Sequence, residues 1–429
     1  MLVTYNKNSI IKFFLFGFAL FALTLSYVVI RDIKYVLIIN TSGGVSLVLQ
    51  LKQYSFYVKL ILFGLFLLVY RRNNLPKVLF ASMTSLLTLF IVFHFWGFQR
   101  ADEWAHSCYY LLADIWGAFT ITFLFWAFAN QIFTIKEAKL SYPLLTIFPS
   151  LSMIINSTFI MNIVGGDLES TMRSSGFVLL GGLILFILSA WLIKKNKLTE
   201  LTPLTEEPLQ TGKMSPSFKW IYLLLIFVII TSFGFCEQLT TLLFTQLKGQ
   251  FTDSLAYNEF LGQYSTYMGY GSGFIFLLTF WMIWKFGWLK SALIPPLYVL
   301  VTTCFLLLYI RFPALQNLVH NLLTRDAAPL ILLLSVQSIL FKGFAMLFVA
   351  TKEIAFIPLG LTTKARGKAT VDFLFGGVGA WLVNVPIFFS SVPINQNIES
   401  FLLITIGTTL IWLISVLYLG KMFKSISGE

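Results

Sequence analysis

Charge is what this sequence has least of. Only 11% of its 429 residues are Asp, Glu, Lys or Arg, where soluble domains carry about 25%. With 58% hydrophobic residues and a mean hydropathy of +0.83, the chain leaves little room for a soluble domain and reads as a polytopic membrane protein. Cysteine is scarce too. Cys108, Cys236 and Cys304 lie in or beside apolar runs, and an odd number without paired spacing excludes a disulfide framework. His94, His106 and His320 are scattered, with no two at helical ligand spacing, so neither a metal nor a cofactor is expected. The two-residue alternation of a barrel strand is missing as well.

What is present is a surplus of positive charge, formally +12. In a membrane protein this is the ordinary excess of Lys and Arg in cytoplasmic loops rather than a nucleic-acid footprint, and no nucleic-acid partner is expected. The 45 phenylalanines read as lipid-facing filler. The N-terminal apolar run is too long for a signal-peptide core and is expected to remain as a first span.

A span needs about 20 mostly apolar residues. Twelve stretches qualify, near 9–30, 54–70, 78–98, 107–130, 141–164, 175–193, 219–245, 266–285, 291–311, 327–350, 371–390 and 400–420. Backbone groups cannot go unpaired in lipid, so these are expected to be helices. With both termini inside, about two thirds of the 30 basic residues fall on inner segments, which supports an N-in, C-in arrangement with an even number of spans. The longest polar connection separates six spans from six. The expected fold class is therefore all-α integral membrane, with twelve transmembrane helices in a 6+6, major-facilitator-like plan. It has an N-terminal half (1–193), a cytoplasmic linker (194–218), a C-terminal half (219–429) and a pathway between the halves. IKEAKLSYPLL after the fourth span and TKEIAFIPLGL after the tenth form a faint internal echo.

An ionisable side chain at mid-membrane costs about 2.5–3.5 kcal/mol on insertion scales, so each one needs a reason. The candidates are Arg31, Asp32 and Lys34 ending span one, Asp114 in span four, Glu237 in span seven and Lys342 in span ten. Structural pairs would account for single members: Asp32 with Arg31 or Lys34, and Asp114 or Glu237 with a lysine across the bundle. Arg31 also reads as an interfacial snorkel, and Lys52 as a solvated loop charge. For the set, a cavity lined by the first, fourth, seventh and tenth helices is the better reading. Several cations there suit a polyanionic solute. Asp102, Glu103 and His106 could hold a metal, but a solvated loop is the better reading.

Cations also gather in KEIAFIPLGLTTKARGKATVD (352–372), with Lys352, Lys364, Arg366 and Lys368. The spacing is not that of a phosphate loop, because Gly360 and Gly367 are too far apart and Ala369 stands where Ser or Thr is required. GYGSG (269–273) and GGVG (376–379) are not dinucleotide fingerprints either. They read as glycines that let helices pack closely.

SYVVIRDIKYVLII (26–39), ADIWGAFTITFLFWAFANQIFTIKEAKLSYPL (113–144), YNEFLGQYSTYMG (257–269) and KEIAFIPLGLTTKARGKATVD (352–372) together resemble the ATP/ADP translocases. These are the nucleotide transporters of obligate intracellular bacteria and plastids. The resemblance spans nearly the whole chain. It implies a twelve-span, major-facilitator-type carrier, not an enzyme, that exchanges nucleotides by alternating access. The implied setting is the lipid bilayer of an intracellular bacterium's inner membrane, and a monomer is the default for this architecture. The family's first-helix cation falls on Lys34, its fourth-helix acid on Asp114 and its seventh-helix acid on Glu237. Its second-half lysine falls on Ala380, where the match fails, with Lys342 the residue that would compensate. Arg31 and Lys368 complete the implied substrate-binding set. Asp32, Lys352, Glu353 and Asp372 are gate or ion-pair candidates, with Lys352 and Glu353 expected as a closing pair.

The loss at Ala380 keeps a second reading open, in which the chain is a proton-driven net importer of another nucleotide or of NAD. A membrane-embedded enzyme on phosphorylated lipids would need a reaction centre of paired acids or His-Asp pairs that the sequence does not display. A channel would need a repeated pore motif, also not found.

Overall fold

The computed structural model describes residues 7–39, 41, 44–69, 81, 84–89, 91–92, 94–95, 103–133, 141–142, 144–156, 168–196, 216–245, 254–322, 329–356, 359, 370–371, 377–383 and 398–427. Among them all regular secondary structure is helical. The principal helices are α1 (Lys7–Ile39), α2 (Gly44–Val69), α3 (Glu103–Ile115), α4 (Trp126–Ile132), α5 (Ile147–Ile155), α6 (Leu168–Lys195), α7 (Pro216–Thr245), α8 (Ser254–Arg311), α9 (Pro313–Leu322), α10 (Pro329–Phe356) and α11 (Ile398–Ser427). A π-helical segment, Trp116–Phe125, joins α3 to α4.

Seven helices among the described residues are long and apolar enough to cross a membrane. They lie in α1, α3 with its π-helical continuation, α6, α7, the C-terminal part of α8, α10 and α11. The third, fifth and eleventh expected spans fall partly outside the described residues. The second is longer than expected, because α2 starts at Gly44 rather than near residue 54. The expected eighth and ninth spans both lie in α8, a helical run that breaks into two helices at Gly287, between their expected bounds of 285 and 291. The Gly287 φ of 76° is a left-handed value that suits glycine, and its ψ of 177° interrupts the helix there.

The chain divides into two compact units. The first comprises Met1–Glu207 with Asn258–Gly273, the second Pro208–Tyr257 with Phe274–Glu429. In the first, α1 is packed most extensively by α6, then by α5 and α3. Its 33 residues extend for roughly 50 Å at 1.5 Å per residue. Phe16, Leu20, Leu23, Ile30 and Leu37 are all buried and recur at three-, four- and seven-residue steps, which puts them on one stripe. Lys34 falls on that same stripe, so the periodicity that makes α1 a core helix also buries its ammonium, with the residue 1% exposed. Phe16 packs against Phe128 and Phe133, with ring centroids 5.3 and 5.1 Å apart. Thr24 and Ser152 share a hydrogen bond of 2.7 Å between α1 and α5. On α6, a Cβ at Gly182 would meet the Ser26 hydroxyl, so α1 and α6 approach through small residues.

The second unit repeats this plan. Its first helix, α7, is packed most extensively by its last, α11, then by α10. Phe233 of α7 stacks on Phe348 of α10 at 4.0 Å, and both meet the edge of Trp412 of α11, at 5.7 and 5.6 Å. The Tyr222 hydroxyl donates to the Ala355 carbonyl at 2.7 Å, and the Trp288 indole N–H to the Thr351 carbonyl at 2.8 Å.

The outer faces are apolar. On α6, Phe177, Ile184, Leu188 and Trp191 are all exposed at seven-, four- and three-residue steps. That continuous apolar stripe suits lipid and not water.

Candidate substrate site

Asp114 is the centre of the charged cluster in the first unit. It stands at the penultimate position of α3, just before the backbone changes to π-helical pitch at Trp116. Such insertions occur frequently at functional sites. One carboxylate oxygen, Oδ1, accepts a hydrogen bond from Lys34 Nζ at 2.9 Å. The other, Oδ2, accepts from Lys59 Nζ of α2 at 2.6 Å and also from the Ser55 hydroxyl. Three helices thus meet on one carboxylate.

Among the described side chains, two lysines on one aspartate leave a surplus positive charge. The cation of Lys34 is further supported by the ring faces of Tyr110, 4.6 Å from its Nζ, and Tyr35, 5.1 Å away. Lys52 lies above the other reach of Tyr35, at 6.0 Å. Arg31, one helical turn before Lys34, is half-buried on α1. Between two unit charges 4 Å apart the Coulomb energy is about 4 kcal/mol at an effective dielectric of 20. Holding this surplus inside a membrane helix bundle therefore favours an anion as ligand.

In the second unit Lys342 of α10 donates to Glu237 of α7, an ion pair between half-exposed side chains. Lys352 and Glu353, at the C-terminal end of α10, are both buried, with Nζ 3.4 Å from Oε1. Ala380 is half-buried and follows Gly379, which packs directly on the α7 backbone at Thr231–Phe235, just before Glu237. Lys364, Arg366, Lys368, Asp372 and the Asp32 side chain lie outside the described residues.

The structure thus brings Lys34 together with Asp114, and Glu237 with Lys342, as the cross-bundle pairing allowed. It corrects the expectation for Lys52, which sits on α2 and not in a loop. It also adds Ser55 and Lys59. Their signal was in the sequence: Ser55 and Lys59 lie four apart within the expected second span, and Lys52 joins their face once α2 begins at Gly44. Glu103 and His106 lie on α3, and no group of metal-ligating side chains occurs among the described residues. All three cysteines are free thiols.

Comparison with known proteins decides the family. The model of the TLC ATP/ADP transporter family matches residues 94–423. The chain belongs to that family. Among similar proteins, ADP,ATP carrier protein 1 of Chlamydia pneumoniae is 28% identical over 99% of this chain and 93% of its own length. The chloroplastic ADP,ATP carrier protein 1 of Arabidopsis thaliana is 25% identical over 96% of this chain and 74% of its own. ADP,ATP carrier protein 1 of Rickettsia prowazekii is 27% identical over 77% of this chain and 71% of its own length. In fold, the TLC-family chain is similar to a bacterial homologue of the iron transporter ferroportin in its outward-facing state. The TM-score is 0.63 at 11% identity, covering 97% of this chain and all of the other.

Proposed function

We propose that this TLC-family chain is a multi-pass membrane carrier that exchanges nucleotides of the ATP/ADP type by alternating access. The observation that carries the reading is the Asp114 cluster: one carboxylate, two lysines and a hydroxyl, with net positive charge, in a family of ATP/ADP transporters. Polyphosphates need such donors, and lysine supplies them as point charges. Lys34, Arg31 and Asp114 form the substrate site of the first unit, Glu237 and Lys342 that of the second, with Lys368 added from the 352–372 segment. Lys352 and Glu353 form a gate pair, with Asp32 and Asp372 as further gate or ion-pair members.

The finer architecture belongs to the same proposal. It comprises twelve spans in two halves, 1–193 and 219–429, joined by a linker at 194–218, with both termini inside. The carrier acts as a monomer in the inner membrane of an intracellular bacterium. The repeated packing of α1 on α6 and α7 on α11 supports two equivalent halves.

The test is uptake of labelled ATP into proteoliposomes with and without ADP inside. Uptake that requires internal ADP is expected for an exchanger. Uptake without internal nucleotide, abolished by an uncoupler, would replace exchange with proton-driven import. No uptake of any nucleotide or of NAD would overturn the carrier reading.

A further inference from the structure

We infer that α2 carries a phosphate-binding site, made by Lys59 and Ser55 with Lys52 beside it, which the Asp114 carboxylate occupies when substrate is absent. The inference deepens the nucleotide-carrier reading and rests on it for the identity of the ligand, the terminal phosphate of a nucleoside di- or triphosphate.

The geometry divides the cluster into two sides. Lys34 meets Oδ1 from the closed side, where its side chain is 2% exposed. Lys59 meets Oδ2 from the open side, where its own side chain is 16% exposed and that of Asp114 is 21% exposed. Lys59 and Asp114 are therefore the accessible part of the cluster and Lys34 its enclosed part. Ser55 is fully buried and donates to the same Oδ2, so α2 aims a hydroxyl and an ammonium at one oxygen position. Phosphate oxygens accept the same charge-assisted bonds as a carboxylate oxygen. Lys52, Ser55 and Lys59 share one face of α2, so the stripe continues past the two donors toward Tyr35.

Exchange of anions on this face is favoured by charge. A terminal phosphate carries more negative charge than a carboxylate and meets the surplus that Asp114 alone leaves unbalanced. Asp114 retains Lys34 throughout, so its departure from Lys59 and Ser55 leaves no uncompensated buried cation. The carboxylate is then a resident stand-in for phosphate, and substrate binding releases it from α2.

Two readouts test this, both on the full-length protein in detergent or proteoliposomes. The first is ATP transport by wild type, Lys59→Ala, Lys59→Arg and Ser55→Ala. Losing one hydrogen bond to a charged group predicts that Lys59→Ala raises KM for ATP by about tenfold or more. Ser55→Ala is expected to raise it less, and Lys59→Arg to recover most of the loss. The second is binding of inorganic tripolyphosphate by calorimetry, which needs no transport and no base. Binding by wild type that weakens about tenfold in Lys59→Ala supports the α2 site even if no nucleotide is carried, in which case only the functional reading fails. Nucleotide transport with a Lys59→Ala KM within twofold of wild type, and unchanged tripolyphosphate binding, overturns the α2 site and leaves the carrier reading standing.

Discussion

Lys342 and Glu237 form an ion pair in which neither side chain is enclosed, with 30% and 38% exposure. Such pairs contribute only about 0.2–1 kcal/mol to stability, so stability alone is a weak reason for placing two charges on helices α7 and α10. The proposed role toward substrate accounts for the placement better, since Ala380 stands where the family resemblance implies a lysine.

Lys342→Ala is accordingly expected to lower ATP exchange by about tenfold, the worth of one charge-assisted hydrogen bond. The melting temperature should fall by no more than about 2–4 °C. Exchange kinetics in proteoliposomes and thermal melting in detergent measure the two separately. An unchanged exchange rate would reduce the pair to a structural contact.

Asp114 behaves oppositely because burial differs. Asp114→Ala removes the partner of Lys34, a residue 1% exposed, and uncompensated buried charges cost about 3–5 kcal/mol. The melting temperature is expected to drop by about 10 °C. The double variant Asp114→Ala with Lys34→Met, which removes the stranded charge, should regain much of that loss. A double variant no more stable than Asp114→Ala would show that the Lys34 ammonium is not what the carboxylate stabilises.

How far the sequence could be read follows from where each signal lies. Lys34, Asp114, Glu237 and Lys342 stood out because a charge inside an apolar run is visible against its background. Lys59 and Ser55 did not, because they stand near the start of the expected second span, beside QLKQYS (50–55), where a lysine reads as an edge charge. The break at Gly287 falls between Lys285 and Lys290, where the sequence already separates the expected eighth and ninth spans; only its left-handed backbone had to be seen in the structure. Pairing is the part no single sequence carries. Lys34 and Asp114 are 80 residues apart, and their meeting is a matter of helix packing.

Close helix approach gives a prediction about glycine. A Cβ at Gly379 would meet the Thr231 carbonyl oxygen and lie 2.5 Å from the Phe235 backbone nitrogen, atoms that cannot rotate away. Gly379→Ala is expected to cost about 1–3 kcal/mol, as overpacking does. Gly181 on α6 has nothing within 4 Å of its Cβ position, so Gly181→Ala should be neutral or stabilising by up to about 1 kcal/mol. Thermal melting of the two variants side by side checks the contrast. Equal melting temperatures would mean that α7 moves aside for the added methyl.

Burial, not distance, should also rank the remaining ion pairs. Arg311 and Glu399 approach more closely, at 3.0 Å, than Lys352 and Glu353, at 3.4 Å. Yet the first pair is about half exposed, at 50% and 45%, and the second only 6% and 1%. Water screens the first and leaves it worth at most about 1 kcal/mol. The second stands in low dielectric, where breaking an ion pair costs about 3–5 kcal/mol. Glu399→Gln should therefore leave melting and exchange near wild type. Glu353→Gln should lower the melting temperature by about 10 °C. A gate role adds a second expectation: Lys352→Ala slows exchange even under conditions where the protein remains folded. If Glu353→Gln melts like wild type, the buried pair is neutralised by other groups around α10, and a closing ion pair there loses its physical basis.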